Sequence, residues 1–199
     1  PVYMDTTVEK NKLVKDYIIK CIKNIKNFVK EDTVILSLLN GVTSEDIIAD
    51  VYGKDKMLYS YFIGHSSVRC GNSVTHDDVN TIVFGAENNL GENVVAVKNF
   101  FDKVGINYKI PDDIKRSMWL KFMLNVSANQ PTAILRMTFG DMFENTHFMK
   151  FAENIMREVQ SVAKAEGVRN TETMVDEALK HLKTMTPDGK TSMLQDVEA

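Results

Sequence analysis

The sequence lacks most of the features that mark a specialised protein class. It has only two cysteines in 199 residues, Cys21 and Cys70, far apart and in no CxxC pair. That excludes a disulfide framework and fits a reducing cytoplasm, with each cysteine expected as buried or half-buried filler. The four histidines, His65, His76, His147 and His181, stand at no ligand spacing, so no dedicated metal site is expected. No apolar run approaches the roughly 18 residues of a membrane span, and the first residues show no signal-peptide pattern. No membrane association is expected. Neither charge sign dominates: 24 basic against 27 acidic side chains leave a net charge of −3. A nucleic-acid binder normally carries a basic excess, so no nucleic-acid partner is expected. Also missing are a G-x-G-x-x-G opening a helix after a strand and a P-loop. If a dinucleotide binds, its pyrophosphate cradle is expected upstream of Pro1.

What is present is ordinary globular composition, 44% hydrophobic and 26% charged. Residues 10–30 place Leu13, Tyr17, Ile18, Cys21, Ile22, Ile25 and Phe28 at helical steps, with a lysine-rich outer face. VILSLL at 34–39 is a continuous apolar run of strand length, as in a central strand of a parallel sheet, and it ends at Asn40-Gly41. Thr43-Ser44-Glu45-Asp46 offers a cap and first-turn acids for a short helix. Residues 56–85 break into short β-rich segments. Helical period returns at 92–104, with Gly105 as its terminator, and INYKI at 106–110 reads as a strand. Pro111-Asp112-Asp113 marks a boundary, which gives domains at 1–110 and 111–199. After it, 112–129, 145–166 and 171–185 all carry helical stripes. The fold class is therefore α/β plus all-α.

Three stretches carry polar side chains of chemical interest. In WLKFMLNVSANQPTA (119–133), Lys121, Asn125 and Asn129 fall at i, i+4 and i+8 and drift about 40° per step around a helix. They form a polar ridge among apolar neighbours, readable as a solvated stripe or as a functional ridge. A desolvated lysine in such a ridge is a usable proton donor near neutral pH. Asn40 lies at the end of the apolar strand, where α/β sheets gather ligands; a structural turn asparagine explains it equally well. Thr191-Ser192-Met193-Leu194-Gln195-Asp196 reads as a loop or helix start, and no base is paired with Ser192 in sequence.

Together, LLNG (38–41), W-x-K-F-M-L-N-V-S-A-N-Q-P-T-A (119–133) and SMLQD (192–196) resemble, in order and spacing, the signature blocks of the ketopantoate reductase family. The resemblance covers nearly the whole chain. It implies the C-terminal part of a Rossmann-like dinucleotide-binding domain followed by a helical domain, and an NADPH-dependent reduction of 2-dehydropantoate to pantoate in pantothenate biosynthesis. Carried over, Lys121 matches the catalytic general acid, Asn125, Asn129 and Ser192 the substrate-binding side chains, and Asn40 the asparagine near nicotinamide and substrate. Lys10 in VEKNKLVKD matches a cofactor-contacting lysine, with one extra helical turn before Asn40. The family's glycine fingerprint and its later R-x-T/S-E block are absent, so the chain is expected to be a fragment and inactive alone.

Two rivals follow. One is a reductase of another branched 2-oxo acid, since these blocks say little about the distal substrate pocket. The other is a non-catalytic scaffold of the same fold, its amphipathic helices serving association. Those helices are also compatible with a homodimer.

Overall fold

In the computed structural model of the protein, the described residues are 15–64, 67–70, 72–76 and 80–198. The chain divides into two compact units, residues 1–65 with 77–114 and residues 66–76 with 115–199. Among the described residues no helix is long and apolar enough to cross a membrane.

Among the described residues of the first unit, 15–24 are helical (α1) and are followed by a 3-10 turn at Lys26–Phe28. The α-helix stops short of the expected residue 30, and the tighter turn carries Phe28 off the apolar stripe. Phe28 is 79% exposed and Tyr17 68%, while Ile22 is buried. The inward stripe is thus narrow, and Cys21 beside it is exposed rather than packed as filler.

The expected strand 34–39 is also shorter, with β1 confined to Ile35–Leu36. The carbonyl of Ser37 explains the end: it accepts from Ser60 Oγ at 2.8 Å instead of continuing a ladder. Leu38 and Leu39 are exposed. Helix α2 (Ser44–Tyr52) follows, then β2 (Met57–Ile63), β5 (Thr81–Gly85), α3 (Glu92–Val104) and β6 (Tyr108–Lys109). The sheet order is β1-β2-β5-β6, so among the described residues β1 lies at an edge. β1–β2 and β5–β6 are parallel, whereas β2 and β5 are antiparallel, with Tyr61 opposite Val83. Its core holds Leu58, Phe84, Val94 and Phe101. Phe84 meets Phe101 edge-on, centroids 5.4 Å apart, the arrangement ring quadrupoles prefer. Gly105, in the left-handed region at φ 75°, ends α3 by donating its N–H to the Phe101 carbonyl.

The second unit contains the antiparallel hairpin β3 (Ser67–Cys70) and β4 (Ser73–His76). The rest is helical: α4 (Ile114–Leu124), a π turn (Asn125–Asn129), α5 (Gln130–Leu135), α6 (Phe139–Glu144), α7 (Thr146–Ala165), α8 (Met174–Leu182) and α9 (Ser192–Glu198). On α7 the stripe Phe148, Ala152, Met156 and Val159 is buried, whereas Phe151 and Val162 lie at its margins and are about half exposed. The six-residue α6 has no long stripe to announce it. It is held by a capping box in which Thr138 and Asp141 exchange side-chain bonds with each other's backbone N–H.

Four methionines, Met123, Met142, Met156 and Met174, show no exposure and fill this core. Arg116 ties the start of α4 to α8. Its guanidinium reaches both carboxylate oxygens of Glu177, at 3.0 and 2.7 Å, and the Asn170 carbonyl at 2.8 Å. That fork holds the Glu177 carboxyl below its usual range.

The lone tryptophan of the sequence, Trp119, packs against this core and reports on its unfolding. Met156→Ala leaves a cavity in the second unit and is expected to cost about 2–5 kcal/mol. The denaturant midpoint of Trp119 fluorescence measures it, and an unmoved midpoint contradicts this packing.

Candidate active site

Lys121, Asn125 and Asn129 lie on one continuous helical run from Ile114 to Leu135, which extends past the expected end at 129. The run is not uniform. Pro131 has no N–H, and its ring crowds the carbonyl four residues earlier, that of Ser127. The backbone widens into the π turn Asn125–Asn129 immediately before it. Hydroxyls supply local donors here: Ser127 Oγ donates to the Leu124 carbonyl at 3.3 Å, and Thr132 Oγ1 to the Ala128 carbonyl at 2.7 Å.

The π turn changes the expected ridge. A four-residue step along an α-helix overshoots a full turn by about 40°, as from Lys121 to Asn125. A π turn takes more residues, so the next four-residue step falls short of a full turn. The two offsets oppose each other, and Asn129 comes back toward the line of Lys121 instead of drifting further.

Lys121, Asn125 and Asn129 are all half-buried. Burial pushes the Lys121 ammonium below its ordinary lysine value. Its helical neighbours Trp119 and Phe122 meet edge-on at 5.6 Å and pack against the core.

Ser192 is the first residue of α9, and that helix packs against α5 and the π turn. The link is a buried chain of hydrogen bonds. Leu194 N–H donates to Thr191 Oγ1 at 3.3 Å, capping α9. Thr191 Oγ1 and Thr132 Oγ1 are 2.8 Å apart. Each hydroxyl has one proton, and Thr132 spends its own on Ala128. Thr191 is therefore the donor to Thr132.

Asn40 belongs to the first unit. It is exposed, in the bend between Ser37 and α2. Gly41 beside it has φ 112°, and a Cβ added there would meet nothing within 4 Å. Both ends of this bend are tied by a buried hydroxyl cluster. Ser37 Oγ lies 2.8 Å from Ser44 Oγ, and Ser44 Oγ donates to Glu45 Oε2 at 3.0 Å. Glu45 is 2% exposed, and among the described residues its Oε1 makes no hydrogen bond. Burial pushes this carboxyl above its usual value, against the lowering effect of backbone N–H groups and Ser44. Lys10 lies outside the described residues.

Sequence reasoning missed Thr132, Thr191 and the Ser37–Ser44–Glu45–Ser60 cluster. The first pair had a signal: a threonine directly after Pro131, and another at the cap position before Ser192. For Ser60, 23 positions from Ser37, local patterning offered none.

Residues 13–89 match the family model described as Ketopantoate reductase PanE/ApbA, and residues 113–199 match Ketopantoate reductase PanE/ApbA C terminal. A 2-dehydropantoate 2-reductase of Nostoc sp. is 25% identical over 187 residues, covering 88% of this chain and 57% of that protein. The crystal structure of 2-dehydropantoate 2-reductase from Geobacter metallireducens superposes with a TM-score of 0.76 at 26% identity, covering 87% of this chain and 58% of that one. D-mandelate dehydrogenase, solved as a ternary structure with NADH and anilino(oxo)acetate, gives 0.75 at 23% identity, with 89% and 59% covered. The chain belongs to the ketopantoate reductase family, with part of a Rossmann-like domain followed by a helical one. It spans under three-fifths of the length of these relatives.

A carboxyl whose folded pKa is raised leaves stability intact below its unfolded value, near 4.5, and removes stability as pH rises beyond that. Glu45→Gln abolishes this dependence. The melting temperature of the variant relative to the parent is expected to rise between pH 4 and pH 8. A difference that stays constant with pH contradicts a neutral-favouring site.

Proposed function

We propose that this chain forms part of a nicotinamide-dependent reductase that converts the C2 carbonyl of 2-dehydropantoate to the alcohol of pantoate. The observation that carries the reading is Lys121: half-buried, its ammonium destabilised by burial, one helical turn before the π turn that holds two carboxamides. Family membership and the names of the relatives support the reaction class.

In this proposal residues 1–110 belong to the cofactor domain and 111–199 to the substrate and catalytic domain. The residues present fit one end of a nicotinamide dinucleotide. Asn40 and Gly41 follow the carboxyl end of a strand, with open space at Gly41 and the start of α2 close by. Asn40 serves the nicotinamide end and Lys10 contacts the cofactor. NADPH is the form implied by the sequence resemblance, and the NADH of D-mandelate dehydrogenase supports the broader class.

The cofactor, when bound, supplies a hydride to the carbonyl carbon. Negative charge then grows on the carbonyl oxygen, and the Lys121 ammonium stabilises it and transfers one proton there. The product is an alcohol, and the lysine is left as a neutral amine. The burial that lowers the Lys121 pKa also lowers the cost of that amine. Asn125, Asn129 and Ser192 hold the substrate with neutral donors, which leaves the local positive charge to Lys121.

Anilino(oxo)acetate in D-mandelate dehydrogenase favours a second reading, a different 2-oxo acid on the same chemistry. Oxidation of NADPH and of NADH by the full-length protein, followed by absorbance with 2-dehydropantoate and a panel of 2-oxo acids, separates the two. Saturable turnover with 2-dehydropantoate supports the first reading, turnover only with another acid the second, and none at all a scaffold.

Lys121→Ala is expected to lower kcat at least about 100-fold while the fold survives. Because the donor must be protonated, the rate of the parent enzyme falls as pH rises through the Lys121 pKa. The alkaline limb should lie below the ordinary lysine value of 10.5. Unchanged turnover in the variant removes this role.

A further inference from the structure

The two threonines that join α9 to the π turn each sit beside a side chain of the proposed substrate site. Thr132 lies three residues after Asn129, and Thr191 immediately precedes Ser192. Both are almost wholly buried, at 0% and 5% exposure. Their shared bond belongs to a directed chain, Leu194 N–H to Thr191, Thr191 to Thr132, Thr132 to the Ala128 carbonyl. Thr132 Oγ1 also lies 3.3 Å from the carbonyl of Asn129 itself.

From this geometry we infer that Thr132 and Thr191 are positioning residues that set the placement of Asn129 and Ser192 relative to each other. The inference rests on the reading of Asn129 and Ser192 as substrate-holding groups.

Three physical points support it. A seven-residue helix such as α9 does not hold itself in water, so its start is where tertiary ties put it. Its ties include the buried Leu194, the Thr191 cap, and the Phe139 N–H that donates to the Gly189 carbonyl just upstream. On the other side, the π turn is a departure from the α-helix that other groups must sustain, and the Thr132 hydroxyl bonds the carbonyl of a residue within it. One hydroxyl thus fixes the shape of the turn that ends in Asn129 and receives the cap of the helix that begins with Ser192. A valine fills the same volume without making either bond. A serine makes both.

The test uses the full-length protein with its best 2-oxo acid. Thr132→Val is expected to raise KM for the 2-oxo acid about tenfold, since misplaced holding groups weaken substrate binding. KM for the nicotinamide cofactor should stay within about twofold. Thr132→Ser should restore the parent KM. The effects of Thr132→Val and Thr191→Val should combine to less than their product, because both remove the Thr191–Thr132 link, although Thr191→Val also removes the cap on Leu194. Should Thr132→Val not fold, Thr191→Val tests the same link while leaving the bond to Ala128 in place. An unchanged KM for the 2-oxo acid, with or without a lower melting temperature, overturns the inference. Equal rises in both KM values, or no rescue by serine, overturn it as well. A parent protein that turns over no 2-oxo acid overturns the reading of the site itself, and this inference with it.

Discussion

Pro131 withholds one backbone proton from a helical run that would otherwise be uniform from Ile114 to Leu135. The π turn that shapes the second unit's polar ridge lies immediately before that proline. A proline inside a helix ordinarily breaks or kinks it. Here the chain absorbs the misfit by widening over Asn125–Asn129 and continuing for another turn and a half. The widened turn is where both carboxamides are carried, and π turns of this kind often occur at functional sites. A straight α-helix with alanine at 131 would have the same residues in the same order and a different ridge.

Hydroxyl groups make the irregular backbone affordable in both units. In the second, Ser127 and Thr132 donate to carbonyls along the widened segment. In the first, Ser37, Ser44 and Ser60 close the bend that carries Asn40, one through a carbonyl and the others through each other. Small hydroxyls suit this work because each adds one donor and an acceptor while displacing little apolar volume. In both places the bonded residues are buried while the polar residue they frame is left more accessible.

The architecture was legible from the sequence to the degree that it rests on periodicity. The stripes that gave α3, α7 and α8, and the glycine that ends α3, were readable because core packing on those elements repeats along the chain. The failures share a cause. β1 stops at Leu36 because a serine 23 positions away takes the next available carbonyl, and composition does not show such a bond. α1 stops at 24 although its apolar period continues. At the candidate site, Lys121, Asn125 and Asn129 were visible as a ridge, but its true line was not, since the π turn arises from proline crowding and not from the spacing of polar residues.

The methionine-filled core of the second unit also has a chemical side. Met123, Met142, Met156 and Met174 have no exposed surface in the folded chain. An oxidant in solvent reaches those thioethers only when the unit opens. Each sulfoxide formed during an opening would put a polar, chiral group where the core has no partner for it, and so oppose closing. Oxidative damage to this unit is therefore self-reinforcing, and the folded state is its own first protection against peroxide.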